Sequence, residues 1–345
     1  MNKHRDSNFE LLRIVAMMLV LLVHVNYLSL GNVTQSEIIE TPWTAFVRIF
    51  CEQLCIVSVN LFVLLSGWFG IKPTIKKCIS LLFQILFIGF ASSLIYKFAG
   101  GEVIAWEFRR LSWFGQHYWF VPAYFILFFL SPVLNAFCER ANKREFAMAV
   151  ISFFVVEALF GWIKGDCGHY IGGYSGMSFI GLYLLAQYLR RHGGKLCSMK
   201  WWHNLLLYLL FTIIPVIISY CCIYAKDFEH LPALSYNSLF VVAASVSLLL
   251  MFRQFSFKSR FINWLSASAF AIYLVHQAPG VNGLYLKFFK ESYQSMHGAL
   301  FIPFAILATS IIGLICVIFD KLRIVIWEQI LSVVDKIGHR IIKVK

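Results

Sequence analysis

The sequence predicts an all-α integral membrane protein: a bundle of about ten transmembrane helices followed by a C-terminal interfacial amphipathic helix. Three observations lead there. Of the 345 residues, 60% are hydrophobic and 14% charged, against about 25% charged in ordinary soluble domains. Aromatic residues make up 17%, which suits the headgroup boundary, where rings with an apolar body and a polar tip sit well. The apolar residues also fall into runs of about 20, the length a helix needs to cross a hydrocarbon core about 30 Å thick.

Ten such runs lie near 11–30, 50–70, 78–98, 118–137, 146–163, 171–189, 204–224, 234–252, 262–280 and 299–319. The first contains Arg13 and is not followed by a small-residue cleavage site, so it reads as an uncleaved span rather than a signal peptide. The sixth and ninth are the least regular, because Gly172, Gly173 and Gly176 interrupt one and Pro279 and Gly280 the other. From Lys321 onward, Leu322, Ile326, Ile330, Val334, Ile337 and Ile341 recur every three or four residues with bases between them. That spacing predicts an amphipathic helix lying on the inner membrane surface. The chain thus divides into a transmembrane unit, 1–320, and a cytoplasmic amphipathic tail, 321–345.

The net charge of +13 would raise nucleic-acid binding in a soluble protein, but no folded module remains here to host it. The bases sit instead in short clusters between the apolar runs. Of the 30 Lys and Arg, 22 fall on alternate connections and the two ends, including Lys3, Arg5, Lys72, Arg140, Arg190 and Arg253. Because Lys and Arg collect on the cytoplasmic side, both termini are expected there, in a multi-pass protein of the cell inner membrane with lipids as its surroundings. Nine cysteines are scattered without metal-ligand or disulfide spacing, so no metal is expected. A P-loop, a GxSxG elbow and an HExxH helix are all missing from the sequence, which excludes a pump powered by its own ATPase.

Ionisable side chains within a bilayer are costly and point to function. The first span holds Arg13 and His24, eleven residues apart. Helical geometry puts them within about 20° of one face and about 16 Å apart along the axis. An Arg near a helix end also serves as a snorkelling anchor, and a mid-span His also serves as a structural hydrogen-bonding group. Together the two describe a line of chemistry: a cation for an anionic donor, then an imidazole suited to general-base work. In the second span Ser66 and Gly67 permit close helix approach. Lys72, Lys76 and Lys77 follow, fixing topology or meeting phosphates. His117 and Trp119 open the fourth span as part of an aromatic belt or an acceptor surface. Tyr273 and His276 lie toward the outer side of the ninth, and Glu157 in the fifth needs a partner such as Arg48, Arg109 or Arg110.

Four motifs in order resemble the membrane acyltransferase-3 family over essentially the whole length. They are Arg13-x10-His24, Phe62-Val-Leu-Leu-Ser66-Gly67-Trp68-Phe69, Trp119-Phe120-Val121-Pro122, and the stretch from Ser266 to Tyr273-Leu-Val-His276. Many members carry arginines after the second span where this chain has lysines; charge is kept but bidentate phosphate recognition is not. The resemblance implies O-acyl transfer from cytoplasmic acetyl-coenzyme A to a hydroxyl of a surface polysaccharide or lipid-linked glycan. His24 would be general base or transient acyl carrier, with Arg13. Arg13, Lys72, Lys76, Lys77 and Ser66 would hold the donor, and Trp68, His117, Trp119, Tyr273 and His276 would shape the acceptor side. Assembly with further copies of the chain stays open. The competing readings are a secondary transporter or flippase for a glycan or small solute, which buried His, Arg and Glu also suit, and a membrane sensor, against which the lack of a soluble output domain argues.

Overall fold

The computed structural model describes residues 6–101, 118–160, 171–226, 235–296 and 298–343. Every regular element among them is helical. In chain order these are α1 (Ser7–Val23), which continues into a π-helical turn (His24–Ser29), α2 (Gln35–Glu40), α3 (Pro42–Cys55), α4 (Ser58–Phe69) and α5 (Ile75–Phe98). After them come α6 (Phe120–Arg140), α7 (Lys143–Ala158), α8 (Gly176–His192), α9 (Gly194–Ser198), α10 (Trp201–Ala225) and α11 (Leu239–Arg253). The last are α12 (Arg260–Ser266), α13 (Ala269–His276), α14 (Val281–Ser295) and α15 (Gly298–Lys343).

Six stretches among the described residues are long and apolar enough to cross a membrane: Ser7–Ser29, Pro42–Phe69, Ile75–Phe98, Phe120–Arg140, Trp201–Ala225 and Leu300–Val333. The remaining runs expected from the sequence are shorter or broken helices. The run 262–280 is split into α12 and α13 by Ala267 and Ser268, and it ends at His276–Gln277, before Pro279 and Gly280. The run 171–189 opens with a 3-10 turn at Ile171–Gly173 and becomes α-helical only from Gly176, capped by Ser175. Non-helical backbone within a span is tolerated where it is buried in protein or lines a cavity; Ser268 is buried and Ala267 lines a cavity.

The membrane-facing surface is apolar. Along α15, Leu307, Ile311, Leu314, Ile318, Leu322 and Val325 are all exposed, spaced three or four apart so that they form one stripe. The stripe passes position 320 without interruption, and 321–343 continue the last span as one helix of 46 residues. No Gly or Pro stands between Gly313 and Gly338 to end it. The i,i+3 pair Asp320–Arg323, buried and joined at 2.7 Å, spans the expected boundary. Arg323 is thereby a buried partner of Asp320 rather than a free surface base.

The basic connections gather at one end. Arg190 donates to the Trp68 carbonyl (2.5 Å) and Arg191 to that of Cys138 (2.8 Å). Arg253 donates to the Cys197 carbonyl, and Lys321 to that of Trp264 (2.7 Å). These bonds satisfy C-terminal helix carbonyls with cations that also favour the negative end of the helix dipole. Inside, α4 packs backbone-close on α8. A Cβ added at Gly67 would stand 2.7 Å from the Tyr183 carbonyl oxygen and 2.8 Å from the Ala186 Cβ, the small-residue contact that membrane helices favour. α1 lies against α3, α4, α12 and α13, which makes it the central element.

Candidate active site

Three cavities run in series along α1. The inner one, about 290 Å³, lies toward the basic end and is lined by Arg13, Ser66, Gln84, Tyr124 and Ser266. The second is a neck of about 30 Å³, walled by His24, Met17, Val59, Trp119 and Tyr273. The outer one, about 310 Å³, lies toward the opposite end and is lined by Asn26, Tyr27, Arg48, Glu52, Tyr174 and Tyr236. Phe62, Phe120 and Phe270 border both the inner cavity and the neck, and Tyr236 borders both the neck and the outer cavity. Arg13 and His24, read from the sequence as one helix face, therefore line neighbouring cavities that share wall residues, with His24 on the smallest of the three.

The protons around His24 follow from a carbonyl. His276 ends α13, is 1% exposed, and places Nδ1 2.6 Å from the Ile272 carbonyl oxygen. A carbonyl only accepts, so His276 Nδ1 carries the proton and its Nε2 keeps the lone pair. His24 Nδ1, 2.7 Å from that Nε2, must then donate. This leaves the lone pair of His24 on its own Nε2. The side chain of Gln277 lies against both rings, its Nε2 2.8 Å from His24 Nδ1 and 3.3 Å from His276 Nε2. A half-turn of the amide brings its oxygen to the same place, the orientation this proton arrangement requires. Tyr285 donates to the Leu21 carbonyl (2.8 Å), tying α14 to α1, and Tyr118 to that of Leu274 (2.7 Å), tying the chain just ahead of α6 to α13.

In the inner cavity Arg13 donates to Glu10 Oε2 at 2.7 Å, and Glu10 also accepts from Ser266. The guanidinium is thus held at the wall while a third of its side-chain surface stays accessible. Ser66 turns its hydroxyl back to the Phe62 carbonyl (2.9 Å). Lys72, Lys76 and Lys77 are exposed, line none of the three cavities, and stand at the basic end around the start of α5. The Lys77 ammonium donates to the Lys72 carbonyl (2.7 Å).

Among the aromatic residues expected on the acceptor side, Trp119 and Tyr273 do line the neck. Trp119 packs on Tyr174 and Tyr236 with ring centroids 4.6 and 5.8 Å away. Trp68 does not join them. It is buried at the basic end of α4 against Phe9 (5.9 Å) and beneath the Arg253 guanidinium (5.8 Å). Its position beside Gly67 and ahead of the three lysines already places it there. His276 acts on His24 and does not itself line the neck. His117, Arg109 and Arg110 lie outside the described residues. Arg48 is not the partner of Glu157, because it is paired with Glu37 and donates to the Gly31 carbonyl at 2.6 Å. Glu157 Oε1 is buried with no partner among the described residues.

Of the outer cavity's polar residues, sequence reasoning singled out Arg48, as a partner for Glu157, but not Glu52. Asn26 donates to Glu52 Oε2 (2.7 Å) and to the Arg48 carbonyl (3.2 Å), tying the end of α1 to α3. Asn60, fully buried, donates to the Tyr236 carbonyl (2.7 Å) and fixes the residue shared by neck and outer cavity. Glu52 carried a signal, since a carboxylate inside an apolar run is costly without a role.

A family model described as an acyltransferase domain matches residues 6–321, so the class of protein is a membrane-embedded acyltransferase. More particularly, the chain belongs to the membrane acyltransferase-3 family. No curated protein and no solved structure matches it. Family membership decides for an acyl-transfer enzyme over the transporter and sensor readings.

Proposed function

We propose that this protein is an O-acetyltransferase moving an acetyl group from cytoplasmic acetyl-coenzyme A to a hydroxyl of a surface polysaccharide or lipid-linked glycan. The observation that carries the proposal is the place of His24: a constriction with a cationic cavity on one side and a polar, aromatic cavity on the other. Two reactants approaching from opposite ends meet there and nowhere else on the path. The basic end is the cytoplasmic one by the distribution of Lys and Arg, and the short helices complete a bundle of about ten crossings.

In this reading the donor's phosphates stay at the basic end near Lys72, Lys76 and Lys77, whose ammonium groups act as point charges. Arg13 meets the donor inside the inner cavity, and the thioester carbonyl reaches the neck. The acceptor enters the outer cavity, where Tyr174, Tyr236 and Tyr27 offer faces for a sugar ring and Asn26 and Glu52 offer hydrogen bonds. His24 Nε2 takes the proton of the attacking hydroxyl as its oxygen bonds to the carbonyl carbon. The C–S bond then breaks, the thiolate takes the proton from His24, and coenzyme A leaves as the free thiol. His276 holds His24 in the tautomer that makes Nε2 the base.

The test pairs binding with turnover. Detergent-purified parent, Arg13→Ala and His24→Ala are titrated with acetyl-coenzyme A. The same variants are assayed for transfer of radiolabelled acetyl groups to envelope material in native-host membranes. His24→Ala is expected to keep donor binding and lose about 10²–10⁴-fold in transfer, the usual worth of a general base. Arg13→Ala is expected to weaken binding. Near-parental transfer by a folded His24→Ala would falsify the assignment of the base.

A further inference from the structure

We infer that the collar around the neck is an acyl-length ruler: Phe62, with Met17 and Val59 behind it, limits the transferred group to two carbons. The inference rests on the donor reading above and adds the residues that set its selectivity. Phe62, Phe120 and Phe270 stand at the mouth between inner cavity and neck. The Phe120 ring centroid lies 6.4 Å from that of Phe62 and 6.2 Å from that of Phe270, so the three rings form a narrow entrance.

Beyond the entrance the neck offers about 30 Å³. One water needs roughly 10–15 Å³ of such space, so the neck accommodates two or three atoms of that size. An acetyl group presents three heavy atoms: the carbonyl carbon, its oxygen and a methyl. With the carbonyl at His24, a third carbon has nowhere to go. The far wall is backed by rings outside the neck, Tyr174 against Trp119 and Tyr118 against Tyr273. Leu61 and Val63, the chain neighbours of Phe62, are fully buried, which fixes the backbone that aims it.

The wider inner cavity, about 290 Å³, does not relax this limit. A longer chain folded back into it would draw the thioester carbon away from His24. The ruler therefore acts on transfer more than on donor binding, and the readout is the ratio of rates between donors.

Native-host membranes carrying the chain are given radiolabelled acetyl-, propionyl-, butyryl- or hexanoyl-coenzyme A. Label reaching envelope material is counted against membranes lacking the chain. For the parent, butyryl transfer is expected to be at least about tenfold below acetyl, since one surplus methylene in a tight apolar pocket is worth about 10- to 200-fold. Phe62→Ala is expected to raise the butyryl-to-acetyl ratio by about tenfold or more. Met17→Ala, which removes less of the packing, is expected to raise it in the same direction and keeps the test sound if Phe62→Ala does not fold. Butyryl transfer by the parent within about twofold of acetyl overturns the ruler and leaves the donor reading standing. So does an unchanged ratio in folded variants. Absence of transfer from every thioester, with no saturable binding of coenzyme A to the purified protein, overturns the donor reading and the ruler with it.

Discussion

Replacing His276 by alanine removes the group that accepts the His24 Nδ1 proton and leaves the reacting space untouched, because His276 is 1% exposed and does not line the neck. The size of the effect follows from one hydrogen bond. The 2.7 Å bond between His24 Nδ1 and His276 Nε2 is made in a buried setting, and a buried donor left without its partner costs about 1–3 kcal/mol. At 1.36 kcal/mol per decade, that corresponds to about 5- to 150-fold in the rate at saturating donor. Gln277 softens the loss, since its amide already touches both rings. His276→Gln keeps an acceptor oxygen on a side chain of similar reach and is expected to recover part of the rate. The assay is transfer of radiolabelled acetyl groups at saturating acetyl-coenzyme A, with donor binding and thermal unfolding measured on the same preparations. A positioning role predicts a lowered rate, unchanged donor binding and rescue by Gln. A loss as deep as that of His24→Ala would refute the reasoning, because it would put His276 in contact with the reactants. A parental rate in the alanine variant would refute it from the other side.

Gly67→Ala is expected to destabilise the protein by about 1–3 kcal/mol, as overpacking does, because the new methyl meets Tyr183 backbone and the Ala186 Cβ inside 3 Å. Thermal unfolding in detergent reads this, and an unchanged midpoint would contradict the close approach of α4 and α8. Changing Lys72, Lys76 and Lys77 together to Gln is expected to weaken coenzyme A binding at low ionic strength and to flatten its salt dependence, since exposed charges are screened within about 10 Å at 0.1 M salt. Equal salt dependence in parent and variant would remove these lysines from the donor site.

What was legible in the sequence was what helical periodicity and charge distribution encode locally. Arg13 and His24 share a face because of their spacing alone, and both line the path that α1 borders. The gathering of basic connections at one end was readable too, and the bonds of Arg190, Arg191 and Arg253 show it directly. The count of crossings was less so. Hydropathy sees apolar runs; the late start of α8 at Gly176 follows the glycines already noted in that run, but no residue marks the break at Ala267–Ser268 in advance. The continuity of the tail with the last span was not legible, because an apolar stripe with interspersed bases reads alike whether a helix lies on a surface or continues a span.

The site was legible only where its members lie close in sequence. His276 reaches His24 across 252 positions, and no local pattern reports that. Trp68 was assigned by residue type, and residue type carries no depth. The Arg48–Glu37 pair was missed although the two are close in sequence, because they stand on separate helices, α3 and α2, whose angle at Thr41 sets the geometry.

The π-helical turn at His24–Ser29 has a consequence for how such an enzyme changes substrate. A turn closed by i→i+5 bonds holds one residue more than an α-helix would use. Adding or deleting a residue within 25–29 would rotate Asn26 and Tyr27, on the outer wall, while leaving the interval from Arg13 to His24 untouched. The first helix is thereby divided into two independently adjustable halves. In the proposed reading one half faces the acyl donor, and the other is a rim that can be re-aimed at a new acceptor without retuning the chemistry beneath it.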